Sequence, residues 1–600
     1  MNFVFSTGGG INHIAAETTP QSRFVSLQSG NFGLYAQRSC FCIARHCPWP
    51  QPAGNSEPEL AWVVISGNPV LPRAETSPGF SKPVNASQIP TLLSTRGLDF
   101  LHQLSGQYVI ILVYPESSRA IFIRDRAGSR ACYWAQNGRR FVVSDSAAQV
   151  SQSAGLELKS DPASIAEWLL PPSTWTINKS AFANVAALLP GARLTFARDR
   201  VEMHRGPIGL REIDYPPNPA EWVAAFKAQL EKAVIDCLPA AGNPALMLSG
   251  GLDSGPAAAV AAHWLKAEGR NLEIISWYID AVPQASEWKW IKHLNRHIGA
   301  KLHPVRADDF LPFSDVGPEM IDADSPAYNP FRPLALACYR RAAALGSKVL
   351  INASSGDFLY PHPRFALHDA LRRKQLIVSA RILKARTHRY GILGLNRDPA
   401  LRYLGSRLFP PRRQASLPGW LTNAARESIP VAGNWPPEAQ EHPYPEYITQ
   451  LFGPRAASAI ARENRFSERF GLQRRDPYTD FDLLKLMVNM PHSISNGIGT
   501  TKWVMREAMR GILPEDFRTK PRTGILSEFF WHGYQANLPA IRELLSASDD
   551  WQKWVRKDYL DQVLGQNRPE TQDGLLVGKC IGYTLWRQKL RAQRGVNSVV

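Results

Sequence analysis

Apolar positions along the chain change their spacing twice. Over residues 1–200 they come in short β-branched runs, "AWVVISGNPV", "YVIILVYPE", "AIFIRDRAG" and "RFVVSDS", separated by turn residues. That is the pattern of a β-rich region. Pro171–Pro172 and "LLPGARLTF" (188–196) add punctuation, and "GPIGLREIDYPPNPAE" (206–221) reads as a Pro/Gly-rich linker. A helix then starts at Asn218 or Pro219, because "AEWVAAFKAQLEKAVIDCL" places apolar residues at i, i+3 and i+4. After Gly242 the two periods alternate. "ALMLS", "LEIISWYI", "KLHPVRA" and "KVLINAS" read as strands, and "GPAAAVAAHWLKAEG", "SEWKWIKHLNRHIG" and "LACYRRAAALG" as helices. Strands alternating with helices of this length predict βαβ units and a parallel sheet. From about 440 onward the pattern is mainly helical. No internal repeat or low-complexity tract interrupts it.

Six hundred residues exceed one core, so roughly two to four domains are expected. With 44% hydrophobic and 20% charged residues the composition is that of a globular protein. No apolar run reaches the ~18–20 residues of a membrane span. "MNFVFSTGGGINH" has neither a basic n-region nor a long apolar run, so no signal peptide is expected and a cytoplasmic enzyme is the default. Cys40, Cys42 and Cys47 cluster near His46, but the spacing fits no common zinc pattern and the seven cysteines read as ordinary reduced thiols. The net charge of +17 is uneven: Pro361–Gln414 holds 13 Lys/Arg against 2 Asp/Glu. This stretch is a solvated basic helix face, or a docking surface for an acidic peptide, a partner or an anionic membrane. No zinc-finger, RNP-type or P-loop signature supports a nucleic-acid partner.

The candidate chemistry begins at "ALMLSGGLDSGPAAA" (245–259). A buried strand ends at Leu248, a glycine turn follows, and a helix begins near Gly255. Backbone N–H groups and a helix N-terminus then point at one spot, an anion site. Gly250 and Gly251 admit close approach of a phosphate, Ser249 and Ser254 can donate, and Asp253 among phosphates makes sense as a Mg²⁺ ligand. The alternative is a plain strand-turn-helix connection, which the whole heptad "SGGLDSG" speaks against.

This loop resembles the pyrophosphate loop of the ATP-pyrophosphatase (adenine-nucleotide α-hydrolase) superfamily, with Gly255 where a last Ser is usual. "KVLINASSGDFLY" (348–360) and "TKWVMREAMRGILPEDFRTKPRTGI" (501–525) narrow the resemblance to asparagine-synthetase-like enzymes. It implies an ATP site from Leu248, Ser249, Gly250, Gly251, Leu252, Asp253 and Ser254, with Ser355 and Gly356 in the second loop. Adenine is read at Ser276 and Trp277, and Glu287 holds the family's usual Asp-Glu position. Mg²⁺ is held by Asp253 and Asp357, and Phe358 replaces the usual Glu. Lys502, Arg506, Lys520 and Arg522 are the implied catalytic cations. Lys520 stands where Arg is usual and Arg522 where the catalytic Lys is usual. Arginine keeps the charge but cannot exchange a proton. Either Arg522 acts by electrostatics alone or Lys520 takes over.

"RDRAGSRACYW" (124–134), within a match over residues 95–150, resembles the glutaminase half of asparagine synthetases. The implied fold is α/β: an N-terminal β-rich Ntn-hydrolase-like domain of class II glutaminase type, then an adenine-nucleotide α-hydrolase-like domain with a parallel sheet and helices. The expected boundaries are 1–205, a linker at 206–220, and 221–600, with 361–440 a basic insertion offering a peptide or partner surface. A working glutaminase of this kind needs Cys as the first mature residue. Here Met1 precedes Asn2 and no cysteine occurs before Cys40, so this half is expected to be an inactive scaffold or docking module. The amine must then come from elsewhere, as in β-lactam and carbapenam synthetases and lasso peptide cyclases. The β-lactam-forming enzymes carry a catalytic Tyr where this chain has Ser354.

The favoured expectation is lasso peptide macrolactam formation. A side-chain Asp or Glu of a precursor peptide is adenylated, and the peptide's N-terminal amine displaces AMP. The resemblance also implies a leader peptidase and a leader-binding module as partners. Two alternatives stay open: a β-lactam synthetase-like or other small-molecule amide ligase, and a catalytically dead member that only binds nucleotide or a partner.

Overall fold

The computed structural model describes residues 3–7, 24–29, 32–37, 41–48, 58–71, 83–170, 179–205, 210, 218–391, 398–408, 417–429, 442–521 and 526–597. Most of the expected linker and Pro171–Pro172 lie outside them.

The N-terminal half is two six-stranded sheets whose strand pairs are all antiparallel. Ser105–Tyr114 shows how they stack. Val109, Ile111 and Val113 face the other sheet and join a core containing Phe5, Phe122, Phe141 and Phe196. Ile110, Leu112 and Tyr114 face the opposite way, under the helix Ile89–Arg96. The strand is buried on both faces, so it reads as a continuous apolar run. On the other sheet Val4, Ala135 and Val142 pack with the helices Ala147–Ser153 and Pro162–Leu169. The result is a helix–sheet–sheet–helix stack.

Asn218 caps the helix Pro219–Asp236 through its side-chain oxygen, which accepts from Ala220 N–H at 3.0 Å. This helix packs on a five-stranded sheet ordered Lys301–Arg306, Glu273–Tyr278, Ala245–Met247, Val349–Ile351, Gln473–Arg475, with every pair parallel. The first four match the expected strands. The fifth lies in a region expected to be helical. Its three residues, Gln-Arg-Arg, carry no apolar signal, and only pairing with Val349–Ile351 makes them a strand.

The strand order places the site. From Ala245–Met247 the chain moves outward through two strands on one side, then returns to Val349 on the other. The crevice between 245–247 and 349–351 is a topological switch point, where open α/β sheets bind ligands beyond their carboxyl ends. The two halves share a core, in which Ile165 and Leu169 pack in one cluster with Tyr534, Ile581 and Trp586 from the helices Ser527–Ser546 and Thr571–Asn597. Among the described residues no helix is long and apolar enough to cross a membrane.

Candidate active site

Two loops leave the switch point. The first runs from Leu248 to Asp253 into the helix Ser254–Ala267. Gly250 has φ +78°, a left-handed conformation, and a Cβ there would lie 2.8 Å from Glu287 Cβ. Ser254 Oγ accepts from Ser249 N–H at 3.0 Å, and the two hydroxyls are 2.9 Å apart. Leu248 N–H and Ser276 Oγ–H tie the loop's base to the neighbouring strand: Leu248 donates to Ile275 O at 2.9 Å and Ser276 to Leu248 O at 2.5 Å. Ser276 is fully buried, so its side chain serves the loop, while Trp277 packs on the apolar cluster under the sheet. Leu252 packs against the main core.

The second loop, Asn352–Asp357, leans on the first. A Cβ on Gly356 would sit 2.5 Å from Asp253 Cγ, so only glycine lets the loops approach this closely. Asp253 and Asp357 converge on one cation, accepting from Lys502 Nζ at 2.5 and 2.8 Å. The Asp253 side chain is 17% exposed and that of Asp357 72%, so one carboxylate is walled in and the other faces solvent. Burial pushes the Asp253 carboxyl up, and Lys502 offsets this only in part. Lys502 itself has φ +56° and opens the helix Trp503–Ala508. Two carboxylates that share a cation, with Asp253 Oδ1 buried and otherwise unpartnered, fit a divalent ion.

The remaining expected cations divide. Lys520 Nζ donates to Gly250 O at 2.6 Å and to Glu287 Oε2 at 2.9 Å, and it lies 4.8 Å from the ring centroids of Trp290 and Phe517. Burial lowers its pKa, Glu287 opposes that, and Arg506 adds to it. Glu287 Oε1 is buried without a partner. Arg506 was expected to face developing charge. Its Nε and Nη1 hold main chain, donating to Thr501 O at 2.9 Å, Arg518 O at 2.7 Å and Lys520 O at 3.0 Å. It positions the Lys520 segment. Arg522 lies outside the described residues.

Gly255 also has a packing reason. A Cβ there would meet Phe517 Cε1 at 2.8 Å and Leu294 Cδ2 at 3.2 Å. The missing hydroxyl makes room for the aromatic ring that flanks Lys520.

Sequence reasoning missed the brace behind the second loop. Asp476 is buried, and its carboxylate accepts from Ser355 N–H at 3.0 Å and Tyr478 N–H at 3.1 Å. Arg474 donates to Ser354 Oγ at 2.5 Å, and Tyr478 OH donates to Asp253 O at 2.8 Å. Burial raises the Asp476 carboxyl. The signal was "RRDPY", in which Asp precedes Pro, a local cap pattern that says nothing of its distant partner.

The glutaminase-like half differs. Arg124 donates Nη1 and Nη2 to the carbonyls of Leu188 and Gly128, with Nε buried and unpartnered, and Asp125 accepts from Ser129 N–H at 2.9 Å and Arg130 N–H at 3.2 Å. Its described cysteines are Cys42, Cys47 and Cys132. Burial pushes the Cys47 thiol up and that of Cys132 to about 12, the wrong direction for a nucleophile. Cys40 and the His46 side chain lie outside the described residues, and no cluster of three or more metal-ligating side chains occurs among them.

A phosphate-type loop and paired carboxylates at the switch point of a parallel sheet, fused to a stacked-sheet glutaminase-like half, define a nucleotide-dependent ligase architecture. The asparagine synthase model matches residues 225–586, and the glutamine amidotransferase domain model matches 85–205. The chain belongs to the asparagine synthase family of ATP-dependent amide ligases, which usually work with Mg²⁺. No curated protein matches the chain. Among solved structures, an allosteric regulatory enzyme of purine biosynthesis matches 54% of this chain and 76% of its own at 11% identity, with a TM-score of 0.20. A glutamine PRPP amidotransferase from B. subtilis, complexed with ADP and GMP, matches 54% and 77% at 12% identity, with a TM-score of 0.19. At these scores neither adds to the argument.

Proposed function

We propose that this chain joins a peptide's own carboxylate to its own amine, a macrolactam synthetase of the lasso peptide type. One observation carries the peptide reading. A cavity of about 780 Å³ lies between the two halves, bounded by Tyr133 and Trp168 on one side and Tyr328 and Phe530 on the other. It shares Ala459 and Arg462 with a smaller cavity of about 110 Å³ that begins at Ser354 and Ser355, beside the second loop. Drug-sized ligands occupy ~300–1,000 Å³. The larger cavity has room for several residues of peptide, more than an amino acid needs. Ser354, small where β-lactam-forming relatives carry Tyr, lines the smaller cavity and supplies no phenol.

In this reading ATP lays its phosphates on Ser249–Ser254. Asp253 and Asp357 would hold Mg²⁺, which would neutralise phosphate charge there. The substrate carboxylate attacks the α-phosphorus and pyrophosphate leaves. The peptide amine attacks the acyl-adenylate carbonyl, loses a proton, and AMP leaves. Lys520, fixed between Gly250 O and Glu287, stabilises the oxyanion in a water-poor setting, and Lys502 moves from the carboxylates to the phosphates. The walls of the cavity hold the chain so that its own amine is nearest.

The raised thiols of the first half support an amine that does not come from glutamine. The packing reason for Gly255 favours a working site over a dead one. The division at 1–205, 206–220 and 221–600, a cytoplasmic location, and a leader peptidase with a leader-binding module as partners belong to the same proposal.

The test is mass spectrometry of a leaderless precursor incubated with the protein, ATP and Mg²⁺, beside Asp253→Ala. The reading expects loss of one water, with AMP and pyrophosphate, in the wild type alone. Pyrophosphate release with small amino-acid-like carboxylates and no dehydrated peptide would replace it with a small-molecule amide ligase.

A further inference from the structure

We propose that the helix Leu376–Tyr390 and the turn before it form a docking face for an anionic lipid bilayer. This inference is independent of the reaction. Ten large apolar side chains are exposed among the described residues, and four of them fall within thirteen positions: Leu371 (41%), Leu376 (71%), Ile377 (72%) and Leu383 (38%). Leu371 lies in the last turn of the preceding helix Ala366–Arg372 and the other three lie on the helix itself; such concentration in one stretch marks an interaction site, whereas single exposed leucines do not.

The inner side of the helix is already occupied. Ile382 and Val378 pack with Leu367, Ala370 and Ala400 of the neighbouring helices. The outward side therefore has no partner within the described fold.

Charge selects the occupant. The only two acids of 361–414 are buried and paired internally: Asp369 accepts from Arg373 at 3.0 Å, and Asp398 from Arg386 at 2.9 Å. Lys374, Arg381 and Lys384 are exposed beside the four apolar residues. Among the described residues of 361–414, the exposed charges are therefore cations.

Shape then favours lipid over peptide. None of the cavities described above is lined by this segment. Leu376 and Ile377 are 71% and 72% exposed and protrude from the described surface. A bilayer supplies its own conforming surface: apolar tips enter the acyl boundary and cations meet the headgroups.

The experiment is flotation of the full chain with vesicles of phosphatidylcholine alone and of an equal mixture with phosphatidylglycerol, at low and high salt. The wild type is expected to float with the mixed vesicles at low salt, less at high salt, and not with phosphatidylcholine alone. Replacing Lys374, Arg381 and Lys384 by alanine together should cut partition roughly a hundredfold, at about fivefold per cation. A Leu376→Ser, Ile377→Ser double variant should lose binding that the salt series cannot restore. Both variants sit on solvent-facing positions, and an unchanged melting temperature would establish that they fold. Equal partition onto both vesicle types, none onto either, or an unaffected triple variant would overturn the proposal. So would retention on an immobilised acidic polypeptide with none on vesicles.

Discussion

The two halves hold their charged groups in opposite ways. In the first, Arg124 Nη1 and Nη2 and the Asp125 carboxylate bond main-chain groups of that same half, with Arg124 Nε left buried and unpartnered, and the Cys47 and Cys132 thiols are pushed away from ionisation by burial. In the second, Asp253 and Glu287 each keep a buried oxygen without a partner, and Lys502 and Lys520 bridge groups from different segments. A charge satisfied locally is a strut. Carboxylates and lysines that meet from different segments at a switch point, as Asp253, Asp357 and Lys502 do, are available to a ligand. The difference is one of wiring, since both halves bury polar groups.

The largest break in that contrast would come from Asp253→Asn. Pyrophosphate exchange should fall roughly a thousandfold, the several kcal/mol that a metal clamp supplies to developing charge, with circular dichroism unchanged. Unaltered exchange would return Asp253 to the strut class. Lys520→Met should cost about a hundredfold in kcat, as loss of one oxyanion donor does. Its pH profile is sharper still. The charged form is needed and burial lowers the pKa, so the rate should fall with rising pH before a free lysine's 10.5. Lys520→Arg should carry that alkaline limb upward, because arginine does not deprotonate in this range.

A smaller effect is expected at Gly255→Ser, which restores the family's usual hydroxyl. With Phe517 only 2.8 Å from the new Cβ, denaturant titration should show a loss of ~1–3 kcal/mol from overpacking, with no gain in rate. Least of all, Cys132→Ala should leave amide formation untouched and cost about 1 kcal/mol of stability. A loss of product there would mean that the first half still does chemistry.

Most of the second half's sheet and the first loop could be read in advance, because their information is local. Glycines, hydroxyls and an acid stand within seven residues between a β-branched strand and an alanine helix. Asp476, Tyr478 and Arg474 could not, because they act on residues some 120 to 225 positions away. The parallel register Ile351↔Arg475 delivers them, through a strand with no apolar pattern of its own. The main-chain contacts of Arg506 were hidden for the same reason, since the carbonyls of Thr501, Arg518 and Lys520 are brought around it only by the fold. The cavity between the halves belongs to neither sequence segment alone.

The seam between Asn352 and Arg475 has a further consequence. Asn352 N–H donates to Arg475 O at 2.9 Å, and Ser355 N–H reaches Asp476 at 3.0 Å, so a long excursion leaves and re-enters the sheet at one point. Closing a loop becomes costlier only with the logarithm of its length, about 0.6 kcal/mol for each doubling. Beyond Asp357 and the residues that pack into the main core, surface stretches of this excursion can lengthen or shorten at little entropic cost to the phosphate loops. The basic helices and the wall at Ala459–Arg462 both lie inside that splice. The fold thus lets the surface of the excursion vary apart from the two loops that meet at Asp253 and Asp357.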